Sequence, residues 1–388
     1  WREGGMDMRR VLCAVLAAVC LFGTAAAVGT EETTTLDVKA ESALLMEKES
    51  GTVLYEKNAH KKLEPASVTK VMTLLLVMEA VDRGQLGLEE MVTVSAAAAG
   101  MGGSQTYMKE NERFTVDDML KCVCVVSAND ASVALAEHLA GSEEAFVARM
   151  NRRAEELGMN DTVFRHCTGL PAEGHVTSAY DIAVMSRELI LNHSGIRKYT
   201  TIWMDSIRDG AFALANTNKL IRYYDGATGL KTGSTSTAKC CISATAERDG
   251  MELIAVVMKA PTSGDRFTAA KTLLNYGFSA YSMAEVGPGE ALPPVKVLLG
   301  KSGWVQPVVS DSGRVLIRRE DREKLRVETD LTDTVEAPVE QGQKLGELIV
   351  LVDGVEAGRI PLLAAEEVPR LSTGEIWLRL LHRMLWAG

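Results

Sequence analysis

The 388-residue chain has only seven cysteines. That is too few for a disulfide scaffold of this length, and the odd count leaves at least one thiol without an internal partner. Positive charge is not in excess: 42 Lys and Arg face 52 Asp and Glu, for a formal net charge of −10. This argues against a general nucleic-acid binder, which needs a basic face against phosphates. No apolar run reaches the roughly 18 residues that span a bilayer. No repeat with a period of about 20–50 residues is visible, and glycine does not recur at every third position. What is present is 46% hydrophobic and 24% charged residues, too apolar for a disordered chain. At roughly 150 residues per domain, the length suggests two domains, or one large domain with an appendage.

The first 27 residues read as leader rather than fold. Met8-Arg9-Arg10 is a short positive region, Val11 to Phe22 is apolar, and Ala25-Ala26-Ala27 supplies small residues before Thr30-Glu31-Glu32. That is the order of a secretory signal peptide, with cleavage expected after Ala27. Trp1 to Gly5 precedes Met6 and Met8, has no place in that pattern, and is read as translated leader. The expected product is extracytoplasmic and keeps five cysteines, since Cys13 and Cys20 leave with the signal.

In the mature chain, Ser42–Glu47 and Thr52–Tyr55 read as a hairpin around Ser50-Gly51. A helix is expected from Ser67 to Val81, and Ser95 to Gly103 reads as loop. Thr115 with Asp118 makes a capping pattern before a helix from Val116 to Val125. Ser132–Leu139, Glu143–Leu157 and Ala179–Leu191, the last capped by Ser178, follow as helices. Gly229–Gly233, Cys240–Glu247 and Met251–Met258 are strands, with a tight turn at Arg248-Asp249-Gly250, and Asp265–Tyr276 is a helix. Strands, a helical insertion, strands and a helix imply an α+β catalytic domain over 33–282, its antiparallel sheet split in sequence by a helical subdomain. After a linker at Gly287-Pro288-Gly289 and Leu292-Pro293-Pro294, short strands at Val295–Leu299, Val305–Val309, Val315–Arg318, Leu325–Thr329, Leu348–Val352 and Gly358–Leu363 imply a small all-β domain over 287–366. An amphipathic helix occupies 372–387.

Three short patterns carry chemistry. Ser67-Val68-Thr69-Lys70 places a hydroxyl and an amine one helical turn apart. Serine is a poor nucleophile without a base. Lys70 can serve only when neutral, which requires desolvation or nearby positive charge. Ser127-Ala128-Asn129 offers a second hydroxyl to pass a proton and an amide to orient Lys70 and a substrate carbonyl. Lys231-Thr232-Gly233 offers a cation and a hydroxyl for a carboxylate, and a glycine that lets a ligand backbone approach the strand. Each has an ordinary structural reading too: an exposed helix start, a helix cap and a solvated edge lysine. The combination and its order are the motif set of penicillin-binding proteins and serine β-lactamases.

With its flanks, Pro65 to Thr73, Ser127 to Ala131, Gly229 to Thr235, and the stretches Gly169-Leu170-Pro171, Gly174-His175 and Asn216 to Leu220, the chain resembles the low-molecular-mass penicillin-binding proteins, the D-alanyl-D-alanine carboxypeptidases of peptidoglycan maturation. The resemblance covers nearly all of the mature chain. It implies the penicillin-binding-protein/β-lactamase-like fold and a Ser67 acyl-enzyme formed on the stem pentapeptide. Lys70 takes the serine proton, and Ser127 relays it to the leaving D-alanine. Asn129 positions substrate and Lys70. Lys231 and Thr232 bind the terminal carboxylate beside Gly233, and Lys231 helps keep Lys70 neutral. The backbone N–H groups of Ser67 and Ser234 form the oxyanion hole. β-Lactams act as inhibitors, and neither a metal nor an organic cofactor is needed. Arg266 reads either as a further carboxylate ligand or as a surface arginine paired with Asp265.

Other candidates read as bland. His166 and His175 have no Gly-x-Ser-x-Gly elbow and are taken as structural loop residues. Cys122 with Cys124 and Cys240 with Cys241 do not face one another and read as small buried residues, with one thiol left to make the site sensitive to thiol reagents. On the terminal helix, Ile376, Trp377, Leu380, Leu381 and Met384 form one face opposite Glu375, Arg379, His382 and Arg383. That pattern fits an in-plane membrane anchor, which attaches the protein peripherally to the outer face of the cytoplasmic membrane; docking on the β domain is the alternative. A secreted serine β-lactamase is the nearest rival function, with Glu155 and Glu156 as the acidic residues to weigh. A catalytically silent penicillin-binding scaffold is the rival from another class.

Overall fold

The computed structural model describes residues 36–310 and 313–386; the leader and signal lie outside them. The chain opens with β1 (Ser42–Glu47) and β2 (Val53–Lys57), a hairpin. A 3₁₀ turn at Ala66–Thr69 leads into α1 (Lys70–Asp82). The helical insertion continues with α2 (Val116–Val126), α3 (Asn129–Ala140), α4 (Glu143–Glu156) and α5 (Ala179–Asn192). Capping sets several of the starts: the Thr115, Ser142 and Ser178 hydroxyls each accept a backbone N–H from the first turn. The chain then returns as β3 (Ala227–Thr235), β4 (Lys239–Arg248), β5 (Met251–Ala260) and α6 (Ser263–Ala280).

The five strands pair antiparallel in the order β2-β1-β5-β4-β3. The N-terminal hairpin thus joins a sheet completed about 200 positions later, as the split pattern implies. Alternation assigns the two faces. Leu44, Met46, Ile254, Val256 and Met258 join the core shared with α1 and α5, whereas Leu45 and Leu253 face Gly277 of α6. All six residues of β1 are buried, as a strand covered on both sides requires. The edge strand β3 lies against the Ala66–Thr69 turn, which brings two of the three motifs together.

Some expectations need correction. The segment from Ser95 to Gly103 contains a helical turn, Ala96–Ala99, because the Ser95 hydroxyl accepts the Ala98 N–H. α3 starts at Asn129 rather than Ser132, since left-handed Ser127 (φ 64°) already ends α2 and lets the chain restart at once. The expected strand from Val305 to Val309 is two strands. Trp304–Val305 pairs in one sheet and Pro307–Val309 in another, with the N–H-less proline at the break.

The β-rich region begins directly after α6 with β6 (Tyr281–Glu285), which pairs with Arg314–Arg318. It therefore takes in residues N-terminal to the 287–366 span. Its main sheet is antiparallel, ordered Pro307–Val309, Val355–Ala364, Lys344–Val352, Leu325–Leu331. Two small cores fill it, one around Leu348, Val350, Ile360 and Leu362 and one around Val295, Val305 and Val339. The terminal helix, α7 (Thr373–Trp386), turns its Arg379 side to this region: the guanidinium donates to the Gly300 and Lys301 carbonyls at 3.2 and 2.8 Å. Trp377, Leu378, Leu380, Leu381, Met384 and Leu385 remain exposed. Among the described residues no helix is long and apolar enough to cross a membrane.

Candidate active site

Pro65 precedes Ala66, which takes a left-handed conformation (φ 49°), and the chain then tightens into the Ala66–Thr69 turn. Ser67 sits half-buried on that turn, and Lys70, fully buried, begins α1 one turn later. Lys70 Nζ lies 3.3 Å from Ser67 Oγ, 2.6 Å from Asn129 Oδ1 and 2.7 Å from the Thr168 carbonyl. A neutral amine has two N–H donors and one lone pair. The amide and carbonyl oxygens can only accept, so they take the two hydrogens, and the lone pair is left facing the serine hydroxyl. Electrostatics favour that state. Burial pushes the Lys70 pKa well below its ordinary value, and the positive charge of Lys231 acts in the same direction, against weaker opposing contributions from Cys167 and Asp130.

The second motif follows from the break between α2 and α3. Left-handed Ser127 is 4% exposed, and its hydroxyl has no hydrogen-bond partner among the described residues. Asn129 is held by its backbone N–H to the Ser104 carbonyl at 2.7 Å, while Nδ2 donates to Gly102 at 2.7 Å. Only its oxygen is then free for Lys70, which fixes the amide orientation. The neighbouring Asp130 carboxylate accepts the N–H groups of Thr106 and Met108 and anchors the loop that carries Gly102 and Ser104.

On β3, Lys231 is 1% exposed and donates to the Thr232 carbonyl at 2.8 Å. Burial, reinforced by Arg266 and opposed by Cys124, lowers its pKa to about 7. Thr232 Oγ1 donates to Thr217 Oγ1 at 2.8 Å. Gly233 touches the nucleophile turn: a Cβ there would lie 2.8 Å from Ser67 N and 2.9 Å from both Pro65 O and Val68 N. Ser234, next along the strand, is exposed. Arg266 is not a surface arginine paired with Asp265. It is 7% exposed and donates to the Gly233 and Cys241 carbonyls at 3.1 and 3.3 Å, while Asp265 accepts from Thr262. Its guanidinium thus lies behind the β3 backbone.

Three contributors carry no side-chain signature. Thr168 and Gly102 act through their carbonyls, and Gly169 allows close approach, since a Cβ there would fall 1.9 Å from Ala66 O. Of these loops, the one around Gly169 falls in a family-like stretch, while Gly102 lies in the Ser95–Gly103 segment, which carries no such signal. His166 and His175 stack at 4.3 Å within the first of them. Cys122, Cys124, Cys167 and Cys241 are buried and Cys240 half-buried, all as free thiols. Burial pushes the Cys122 and Cys124 thiols up to about 12. Glu155 and Glu156 are exposed at the end of α4, where Glu156 pairs with Arg153.

The chain that carries this serine, its buried lysine neighbour and the Lys231 strand matches known proteins along most of its length. A family model described as D-alanyl-D-alanine carboxypeptidase matches residues 28–262. One described as the penicillin-binding protein 5 C-terminal domain matches residues 286–370. The D-alanyl-D-alanine carboxypeptidase DacF of Bacillus subtilis (strain 168) is 40% identical over 372 residues, covering 94% of this chain and 95% of the relative. DacC of Escherichia coli (strain K12) is 32% identical over 384 residues, covering 96% and 95%. Among solved structures, a peptidoglycan synthesis regulatory factor (PBP3) from Streptococcus pneumoniae superposes with a TM-score of 0.75 at 28% identity, covering 85% of this chain and 99% of that one. Penicillin-binding protein D2 from Listeria monocytogenes in its ampicillin-bound form gives a TM-score of 0.58 at 34% identity, covering 63% and 99%. The chain belongs to the D-alanyl-D-alanine carboxypeptidase family, peptidase S11, with a penicillin-binding protein 5 type C-terminal domain. Its activity is that of a D-alanyl-D-alanine carboxypeptidase.

Proposed function

We propose that Ser67 carries this activity on peptidoglycan stem pentapeptides, with each neighbouring group in a distinct role. Lys70 accepts the Ser67 Oγ proton as Oγ bonds to the penultimate D-alanine carbonyl carbon. The resulting oxyanion lies between the N–H groups of Ser67 and Ser234. The C–N bond then breaks, and the proton passes from the Lys70 ammonium through Ser127 to the departing D-alanine amine. Lys70, neutral again, then deprotonates a water that adds to the ester carbonyl carbon, and the proton returns from Lys70 to Ser67 Oγ as the C–Oγ bond breaks, which frees the tetrapeptide carboxylate and restores Ser67. Asn129 holds the acyl amide and Lys70, and Lys231 and Thr232 hold the terminal carboxylate beside Gly233. The observation that carries this reading is the hydrogen-bond arithmetic at Lys70, which leaves a lone pair for Ser67. A β-lactam presents a carbonyl and a carboxylate of the same kind, and its adduct on Ser67 blocks the site. The test is D-alanine release from a D-Ala-D-Ala peptide by wild type and Ser67→Ala. Retained release in the variant excludes the mechanism.

A serine β-lactamase shares these groups but needs an efficient base for deacylation. Glu155 and Glu156, both solvent-exposed, do not favour that reading. A penicilloyl adduct persisting for many minutes separates the carboxypeptidase from it. The signal pattern and the exposed apolar face of α7 support an extracytoplasmic enzyme held at the membrane surface by its terminal helix.

A further inference from the structure

His175 is 2% exposed and lies 106 positions from Thr69, yet its Nε2 is 2.8 Å from the Thr69 hydroxyl. The proton roles along this contact are fixed by the partners. The Arg165 backbone N–H donates to His175 Nδ1 at 3.0 Å, so that nitrogen carries no hydrogen. The neutral ring then has its hydrogen on Nε2, which donates to Thr69 Oγ1. Thr69 Oγ1 in turn donates to the Ala66 carbonyl at 2.9 Å. Both side chains are buried, so water does not compete for these bonds.

The chain ends on the peptide unit that precedes the nucleophile. Ala66 holds a positive φ that an alanine adopts only at a cost. The Ala66–Ser67 peptide is planar, so its C=O and N–H point in opposite directions. Fixing the Ala66 oxygen therefore aims the Ser67 N–H. Gly233 of β3 lies on that N–H side, where a Cβ would come 2.8 Å from Ser67 N. Gly169 braces the carbonyl side, its own N–H donating to His166 Nδ1 at 3.1 Å at the edge of the ring that stacks on His175.

We propose that His175 is a positioning residue for the nucleophile: through Thr69 it locks the Ala66 carbonyl, and so directs the Ser67 N–H toward the developing oxyanion. The inference rests on the reading of Ser67 as the acylated residue with its N–H in the oxyanion hole. His175 touches neither substrate nor Ser67, so its effect falls on the acylation rate constant and not on penicillin affinity.

The experiment measures the acylation rate constant and the non-covalent dissociation constant for a fluorescent penicillin on the intact protein. Thr69→Val keeps the volume and removes the hydroxyl, Thr69→Ser restores the hydroxyl, and His175→Phe keeps the ring stack without the donor. Thr69→Val is expected to acylate roughly tenfold to a hundredfold more slowly at unchanged dissociation constant, as for a misaimed oxyanion donor. His175→Phe should do the same, and Thr69→Ser should stay within about threefold of wild type. Should His175→Phe fail to fold, the two Thr69 variants carry the comparison alone. Wild-type acylation by Thr69→Val or by a folded His175→Phe, a Thr69→Ser as slow as Thr69→Val, or a loss confined to the dissociation constant overturns the proposal. Ser67→Ala is the separate arm: persistent covalent label there removes the Ser67 reading itself, whatever the Thr69 variants do.

Discussion

Lys70 Nζ donates to the Thr168 carbonyl at 2.7 Å, a bond to a backbone oxygen 98 positions away. With Asn129 Oδ1 as the second acceptor, this bond, not the serine, determines which way the lysine lone pair points. The site is thus sensitive to the charge of either acceptor. Asn129→Asp replaces a neutral acceptor with an anion, which favours the ammonium form and raises the Lys70 pKa. The base must be neutral to act, so the acid limb of the acylation pH profile should move to higher pH by the same amount. Along that acid limb penicillin acylation should be slower than in wild type, and it should recover as the pH rises. A pH profile with an unmoved limb contradicts the role given to Lys70.

The same bonds mark where the sequence is legible. Ser67 with Lys70, Ser127 with Asn129, and Lys231 with Thr232 are readable because each pair is local and depends on side-chain chemistry. The Thr168 and Gly102 carbonyls are not, since every residue offers one and only the fold selects it. Arg266 is visible as a charge, but its burial against the Gly233 and Cys241 carbonyls depends on how α6 packs on β5 and β4. Likewise the period of α7 separates an apolar from a polar face, yet only Arg379 bonded to Gly300 and Lys301 tells which face meets the β domain. The long catalytic strands were legible from their β-branched and apolar runs. Trp304–Val305 and Thr334–Glu336 are too short to carry such a pattern.

Lys231 should be a destabilising residue retained for function. Its folded pKa is about 7, against an unfolded value near 10.4. Between those values the unfolded chain binds a proton that the folded one does not, so this residue's penalty is full below pH 7 and fades as the pH rises toward 10.4. Lys231→Met removes it. The variant should be more stable than wild type at pH 7 by on the order of 2–4 kcal/mol, with the gap closing by pH 10. Its carboxypeptidase activity should be lost. Chemical denaturation of both proteins across this pH range checks the sign, and a gap that widens with pH contradicts it.

Gly233→Ala should damage the site through contact alone. The added Cβ meets Ser67 N, Pro65 O and Val68 N within 2.9 Å, and all three are backbone atoms that cannot rotate away. β3 must separate from the nucleophile turn by several tenths of an ångström. We expect a stability loss of about 1–3 kcal/mol from overpacking and an acylation rate lower by roughly a hundredfold. Thermal unfolding and penicillin labelling measure the two effects, and wild-type labelling would show that the strand need not touch Ser67.

Arg266→Met separates support of the strand from contact with the substrate carboxylate. Because the guanidinium donates to the Gly233 and Cys241 carbonyls, its removal should loosen β3 for every substrate. Peptides with and without a free terminal carboxylate should lose kcat/KM by similar factors, about tenfold each. A loss confined to the carboxylate-bearing peptide makes Arg266 a carboxylate ligand.

The terminal helix gives a prediction independent of the chemistry. Met384 and Leu385 are 82% and 77% exposed and Trp377 is 63% exposed, an apolar face that a water-soluble helix would normally cover. Arg379 already secures the opposite side to the β domain, so the face points outward with its orientation fixed. Burying one such side chain in the headgroup–acyl boundary is worth about 1.5–3 kcal/mol. Leu381→Asp with Leu385→Asp reverses that gain at two positions without touching Arg379. The double variant should stop co-floating with phosphatidylglycerol-containing vesicles, while its release of D-alanine from a soluble peptide stays at the wild-type rate, because α7 contributes no group to the Ser67 site. Equal flotation of the variant and wild type assigns membrane attachment to some other part of the chain.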